Sequence, residues 1–442
     1  MNQIFETLDC SVVEAWSGID QSHPVIQAID DVISWKVPPF FHRLGRSGQL
    51  IPETPLTVET PNGKTYVIDQ LKLKGIGLYD DQRQAHQPDP SVRFVQSDPH
   101  IGITGEGKFI MIPPSTGPMG GITMDRARME YDVARTLFEN NIPCEVPIRL
   151  YQYDNMSYEK NGEILPLAAV VSGQLQHGYD RLDAAFKYHT APQELRLELE
   201  KYAKNKGFDI SSYPEIAFLK SAYESYGVYL RQFSQVGFYR HSAHPSNLGF
   251  STRMNDIYLT DIDSCRWLSE CTEIARPMQV MRDALSTFSH LIIMFTEPRD
   301  IHRFPAEKVL EANLFRSYLK SYYYDISDTM IDGFVDIVER YYVKLHDEVL
   351  ETYDDILKRR EAASSEDTHQ GRFQRYWKRV WINNEKHFSR LLAMFWVLHS
   401  ESGMGEEYPF LLSEEEFYQN LAEFCTKETA EEIQKEIAKV TG

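Results

Sequence analysis

The sequence predicts an α+β chain, with a small mixed β-sheet region near the N-terminus and a large helical region after it. Two observations carry that expectation. Short β-branched runs and turn signals crowd residues 56–185, and helical periodicity dominates from about 190 to the end. A loop-and-strand island at 237–264 interrupts the helices. We divide the 442 residues into an N-terminal extension (1–55), a strand-rich lobe with one helix (56–185), a core with two functional loops (186–275) and a helical region (276–442).

Each element has a local cause. The run Thr57–Gly75 reads as two strands around a Pro61-Asn62-Gly63 turn and ends at a Lys74-Gly75 corner. Residues 80–121 are loop-rich, with short strands expected at Val92–Gln96 and Lys108–Ile112. Ala127, Tyr131, Ala134, Leu137 and Phe138 recur at helical spacing, and Asn140, Asn141 and Pro143 stop that helix. A strand–turn–strand pattern follows around Asn161-Gly162. The helix reaching Gln235 ends on Gly237, a left-handed cap. After Pro277 only helices are expected, the last two with capping boxes at Ser413/Glu416 and Thr429/Glu432. Residues 361–371 read as an exposed polar loop.

Composition narrows the function. The chain is 42% hydrophobic and 25% charged, with a formal charge of −19. That balance opposes broad binding to nucleic acid or to an anionic membrane surface. Neither a signal peptide nor a membrane-spanning run is visible, so the expected location is cytoplasmic. Five scattered cysteines give no disulfide framework and no zinc pattern. The segment Arg372–Arg379 alternates basic and aromatic residues and reads as a two-faced helix rather than a nucleic-acid stacker.

The chemistry concentrates in the island. The loop His244-Pro245-Ser246-Asn247 leads into a strand at Leu248. A second strand, from Ile257, ends at Asp261. An asparagine and an aspartate on neighbouring strand ends form the magnesium site of protein kinases. Magnesium takes hard oxygen ligands, few of them from protein, and Asn247 and Asp261 suit it. Lys74 on a strand and Glu130 on the next helix match the lysine–glutamate pair that aims an ammonium at nucleotide phosphates. Two solvated surface charges are the plain alternative for that pair, and turn residues the plain alternative for Asn247 and Asp261.

Three segments resemble the selenoprotein O family of kinase-like adenylyltransferases. They are Gln70–Gly77, Glu130 with the helix leading to Asn141-Ile142-Pro143, and Val236-Gly237-Phe238 through Asn247, with Asp261 on the family's metal aspartate. The resemblance covers about a third of the chain, within residues 65–270. It implies a protein-kinase-like fold, ATP and Mg2+ as cofactors, and transfer of AMP to protein hydroxyls; for this chain we expect AMP transfer to a protein or small-molecule acceptor. The position of the kinase catalytic aspartate holds Ser242, a departure that the family shares. The family's aspartate before the magnesium asparagine is Ser246 here. About thirty extra residues separate Lys74 from the Glu130 helix, and Arg126 and Arg128 stand out of the family's register. The expected catalytic residues are Asp261, Asp263 and His244, with Asp263 or His244 as base. Lys74, Glu130, Arg126 and Arg128 are expected at the nucleotide. A divergent kinase or other ATP-activated ligase, and a non-catalytic nucleotide-binding scaffold, are the alternatives.

Overall fold

A computed structural model describes residues 5–41, 45–80, 82–97, 100–113, 115–175, 181–182, 185, 193–207, 214–241, 247–296, 305–361 and 387–441. The chain forms two compact units. One comprises residues 1–98, 114–181 and 246–266; the other comprises 99–113, 182–245 and 267–442. The first is strand-rich and the second is helical, as the α+β reading expects.

The first unit is built on one antiparallel sheet. Its strands are β1 (Cys10–Ala15) and β2 (Gly45–Leu50), then, after the hairpin of β3 (Leu56–Glu59) and β4 (Thr65–Ile68), β5 (Gln70–Tyr79). The strand β6 (Ala85–His86) pairs with the end of β5. A second hairpin joins β7 (Asp89–Ser97) to β10 (Ser115–Met119), and β8 (His100–Ile103) with β9 (Phe109–Ile112), inserted between them, belongs to the other unit. The strand β11 (Ile122–Thr123) leads straight into helix α2 (Met124–Glu139), which follows α1 (Pro24–Ile33) in the chain. Two long strands, β12 (Val146–Lys160) and β13 (Glu163–Gln174), complete the sheet in the order β1-β12-β13-β5-β2.

Local sequence explains these elements. Asn161 (φ 55°) and Gly162 (φ 84°) both adopt the left-handed backbone that the β12–β13 turn requires. Helix α2 buries Ala127, Tyr131, Ala134, Leu137 and Phe138, the stripe its periodicity predicts, and stops at Asn140 with Asn141 at φ 60°. Two expectations change. Lys74 lies within β5 rather than at its end; Gly75 (φ 86°) and Gly77 (φ 143°) bulge the strand, which then continues to Tyr79. Residues 1–55, read as a mixed extension, supply two strands of the main sheet.

The second unit holds α3 (Gln193–Asn205), α4 (Pro214–Gln235), the short strand β14 (Phe238–Tyr239) and α5 (Ala275–Thr296). It continues with α6 (Ala306–Glu311), α7 (Leu314–Tyr322), α8 (Asp328–Glu361), α9 (387–400), α10 (Gly403–Glu407), α11 (Glu414–Phe424) and α12 (Lys427–Thr441). Gly237 (φ 95°) follows α4 as expected. Ser413 and Glu416 form the predicted capping box. Thr429 does not cap α12: the helix starts at Lys427, and the Thr426 hydroxyl accepts the Thr429 N–H at 3.2 Å. A threonine at either position satisfies the motif, and the chain uses the earlier one. No helix among the described residues is long and apolar enough to cross a membrane.

His399 on α9 gives this unit a pH-dependent stability. Its ring is fully buried, and Nε2 donates to the Tyr408 carbonyl at 2.8 Å. Burial pushes its pKa down to about 4, against a smaller upward pull from that carbonyl. A depressed histidine pKa means that the unfolded chain takes up the proton first as pH falls. The contribution is therefore complete above about 6.5 and is lost between about 6.5 and 4. Chemical unfolding of the protein at pH 7.5 and pH 5.0 should differ by about 2 kcal/mol from this residue alone. The His399→Gln variant should lose that part of the pH dependence.

Candidate functional site

The site lies wholly within the first unit, where residues distant in sequence meet on one face of the sheet. Residues 70, 72 and 74 alternate on β5 and so share a face. The opposite residues on β13 are Gln174, Ser172 and Val170, and that ladder stops at Lys74. Beyond Lys74 the backbone must turn away. A Cβ on Gly75 would lie 2.4 Å from Ile122 Cγ2 and 2.6 Å from the Ala168 carbonyl oxygen, at a φ that side chains avoid. Gly75→Ala should therefore destabilise the protein by about 3 kcal/mol and displace Lys74. A lowered urea midpoint checks it; an unchanged midpoint contradicts the assigned role.

Strands β15 (Leu248–Ser251) and β16 (Asp256–Leu259) form a hairpin, with Leu248 opposite Leu259. The Asn247 carbonyl accepts the Thr260 N–H at 3.0 Å, so Asn247 and Asp261 stand on adjacent strand ends, as their spacing predicts. The end of β16 also hooks onto the segment after α2. Leu259 N–H donates to the Pro143 carbonyl at 2.9 Å, and Glu145 N–H donates to the Leu259 carbonyl at 3.1 Å. These bonds place the segment that carries Asp261 beside α2. Asp261 is left-handed (φ 56°, ψ 47°) and opens a 3-10 turn, Ile262–Ser264. Aspartate and asparagine bear that backbone better than most side chains, and held strain of this kind gathers at functional positions.

Lys74 is the hub. Its side chain is 2% exposed, and its ammonium contacts the Asp261 carboxylate, Glu130 at 2.9 Å and Asp263 at 3.0 Å. Burial disfavours the charged ammonium, but Asp261, Asp263 and Glu130 outweigh it and hold the proton more firmly than water does. Burial also opposes ionisation of the two aspartates. Lys74, Lys72 and Arg46 nevertheless bring Asp261 well below the usual carboxylate range. Arg126 first, then Lys74 and Arg46, bring Asp263 down against the repulsion of Asp261. Lowered carboxylate values contribute stability that is complete above the ordinary aspartate range and is lost only as pH falls through them. Lys74, Asp261 and Asp263 are thus charged throughout the physiological range.

The structure separates the two arginines. Arg126 reaches Asp263 at 2.5 Å inside the cluster, whereas Arg128 pairs with Glu14 on β1 and lies outside it. His244, Ser242, Ser246 and the Arg372–Arg379 segment lie outside the described residues. Three participants went unnoticed in the sequence. Arg46 on β2 reaches Asp263 at 3.4 Å. Lys72 pairs with Glu130 at 2.9 Å and with Glu145 at 2.5 Å. The signal for Lys72 was available: two lysines at a spacing of two in an otherwise apolar strand must face the same way. Nothing local distinguishes Glu145 or Arg46.

Glu130, Asp261 and Asp263 bring one oxygen each within 4.8 Å of one another, a set able to hold a hard cation. Their exposures differ in a way that matters. Asp261 keeps 38% of its side chain open, against 3% for Asp263 and 1% for Glu130. Of the three carboxylates, Asp261 is the one an incoming cation would meet first. The all-oxygen carboxylate set suits a hard cation such as magnesium.

No protein-family model matches the chain, and no curated protein matches it. Solved structures align with it at low similarity. WaaP in complex with acyl carrier protein aligns at 12% identity over 66% of this chain and 85% of its own, with a TM-score of 0.28. The Toxoplasma gondii specific rhoptry antigen kinase domain aligns at 9% identity over 67% and 84%, with a TM-score of 0.28. Amicoumacin kinase hAmiN in complex with AMP-PNP, Ca2+ and Ami aligns at 12% identity over 82% and 96%, again with a TM-score of 0.28. At that score the likeness carries no argument about chemistry.

Proposed function

We propose that this chain is an ATP- and Mg2+-dependent transferase on a protein-kinase-like fold, a divergent relative of the selenoprotein O adenylyltransferases that moves AMP to a protein or small-molecule acceptor. One observation carries the reading: a buried strand lysine, Lys74, is ion-paired at once to the helix carboxylate Glu130 and to the metal-loop aspartate Asp261. Phosphate transfer enzymes need an oriented ammonium and an oxygen-lined cation site side by side, because their catalysis rests on positioning and charge neutralisation.

In this reading Glu130 holds Lys74 pointing along the sheet face, and the ammonium exchanges its aspartate contacts for phosphate oxygens. Asp261 and Asn247 would hold the magnesium ion, which would supply charge neutralisation on the phosphates. Arg126 is released from Asp263 toward phosphate oxygens. In AMP transfer an acceptor oxygen forms a bond to the α-phosphorus, the bond to the β-phosphate oxygen breaks, and pyrophosphate leaves. The acceptor proton passes to a base. Asp263 supplies an ionised carboxylate for it, held low before the nucleotide draws Lys74 and Arg126 away, and His244 is the other candidate. Serine at position 242, in place of the kinase aspartate, favours nucleotidyl over phosphoryl transfer.

ATP labelled on the α- or γ-phosphate tests the reaction type. Transfer of the α label with release of pyrophosphate supports adenylylation. Transfer of the γ label supports a divergent kinase, and binding without turnover supports a scaffold.

A further inference from the structure

Buried beside the Lys74 cluster is a second ion pair, on the same sheet face, that the reaction just described does not use. Lys72 is 4% exposed and Glu145 fully buried. The Lys72 ammonium lies 2.5 Å from Glu145 Oε2 and 2.9 Å from Glu130 Oε1. Lys74 takes the other Glu130 oxygen, Oε2, at 2.9 Å. One helix carboxylate is thus shared between two lysines, one oxygen each. Glu145 is itself held from behind: Ser172 donates to Oε2 at 3.2 Å and Gln174 to Oε1 at 3.5 Å. Gln174 is fixed in turn by Gln70 at 2.6 Å. The anchor stands on the main sheet and on the residue just before β12.

Two carboxylates and a lysine in a dry sheet–helix interface are costly to keep unless each has a partner. Lys74 cannot be the sole counter-charge of Glu130 if its ammonium is also shared with a ligand. Lys72 can, because neither of its carboxylates has a solvent-open face. Glu145, Lys72, Glu130 and Lys74 together carry two negative and two positive charges. Glu130 therefore keeps a counter-charge and a fixed orientation whichever partner Lys74 takes.

We propose that Lys72, anchored by Glu145, is a positioning residue for the nucleotide site: it locks Glu130 so that Lys74 stays aimed yet free to exchange its aspartates for phosphate. The inference rests on the nucleotide reading above. Lys72 forms no ion pair with Asp261 or Asp263 among the described residues; its charge helps to keep Asp261 ionised, and its one contact with the cluster is Glu130.

The test compares wild type, Lys74→Met, Lys72→Met and Lys72→Met/Glu145→Gln by MgATP affinity and by melting midpoint. The double variant removes one charge of each sign and leaves Glu130 and Lys74 paired, so it separates stability from positioning. Lys72→Met should weaken MgATP about tenfold and lower the midpoint. The double variant should recover the midpoint yet stay weak for MgATP. Recovery of both properties in the double variant reduces Lys72 to a structural role and overturns the proposal. So does wild-type affinity in Lys72→Met while Lys74→Met has lost binding, a result that leaves the nucleotide reading intact. Absence of MgATP binding by the wild type overturns both.

Discussion

Replacing Lys74 by methionine should abolish measurable MgATP binding, with a loss of a hundredfold or more, about 3 kcal/mol. Methionine fills nearly the same volume without the charge, so the packing around β5 survives. The residual ionic balance also survives. Glu130 keeps Lys72 at 2.9 Å, and Asp263 keeps Arg126 at 2.5 Å and Arg46 at 3.4 Å. Breaking a buried ion pair usually costs about 3–5 kcal/mol because one charge is stranded. Here no described carboxylate that Lys74 leaves is stranded except Asp261, which is open to solvent. The fold should therefore lose less than that range in chemical unfolding while binding disappears. A large loss of stability with retained binding would place Lys74 in the scaffold instead.

The second large effect is at Asp261. Asp261→Asn keeps the shape, and asparagine accepts the left-handed backbone (φ 56°) at little cost. It removes the one cluster carboxylate with a large open face. Magnesium should then cease to strengthen ATP binding, and turnover should fall by about a thousandfold. Binding of metal-free ATP should hold or improve, because Lys74 is freed from a negative partner. Asp261→Ala removes the same charge but also strains the turn by about 1 kcal/mol, so the asparagine variant is the cleaner comparison. Titrations with magnesium and with a chelator check the point.

Much of this site is legible in the sequence. Lys74, Glu130, Asn247 and Asp261 each sit in a local pattern with a physical cause: an apolar strand, an amphipathic helix, a Pro-Ser-Asn turn into a strand, and a strand that ends in aspartate. Their spacing along the chain did the rest. What stayed hidden depends on partners far away in sequence. The strand Gly45–Leu50, GRSGQL, has neither alternation nor β-branched residues, and its register comes from β5. Ser115–Met119 reads as a Gly/Pro loop and becomes a strand only against β7. Glu145 follows a cysteine that follows a proline and looks like any loop acid until Lys72, 73 residues earlier, reaches it. Asp263 could be proposed from its place two residues past Asp261. Its three cations could not, because Arg46, Lys74 and Arg126 come from three separate elements.

The division between Arg126 and Arg128 teaches the same lesson at shorter range. Two residues apart on a helix, they cannot face the same way. Sequence alone offered both as phosphate ligands; the rotation of α2 sends one to Asp263 and the other to Glu14.

Equilibrium binding of ATP to the protein, with magnesium present and then chelated, tests the central claim most directly. The account predicts saturable binding at one site per chain, strengthened at least about tenfold by magnesium. No saturable binding under either condition, or binding indifferent to the metal, would contradict it.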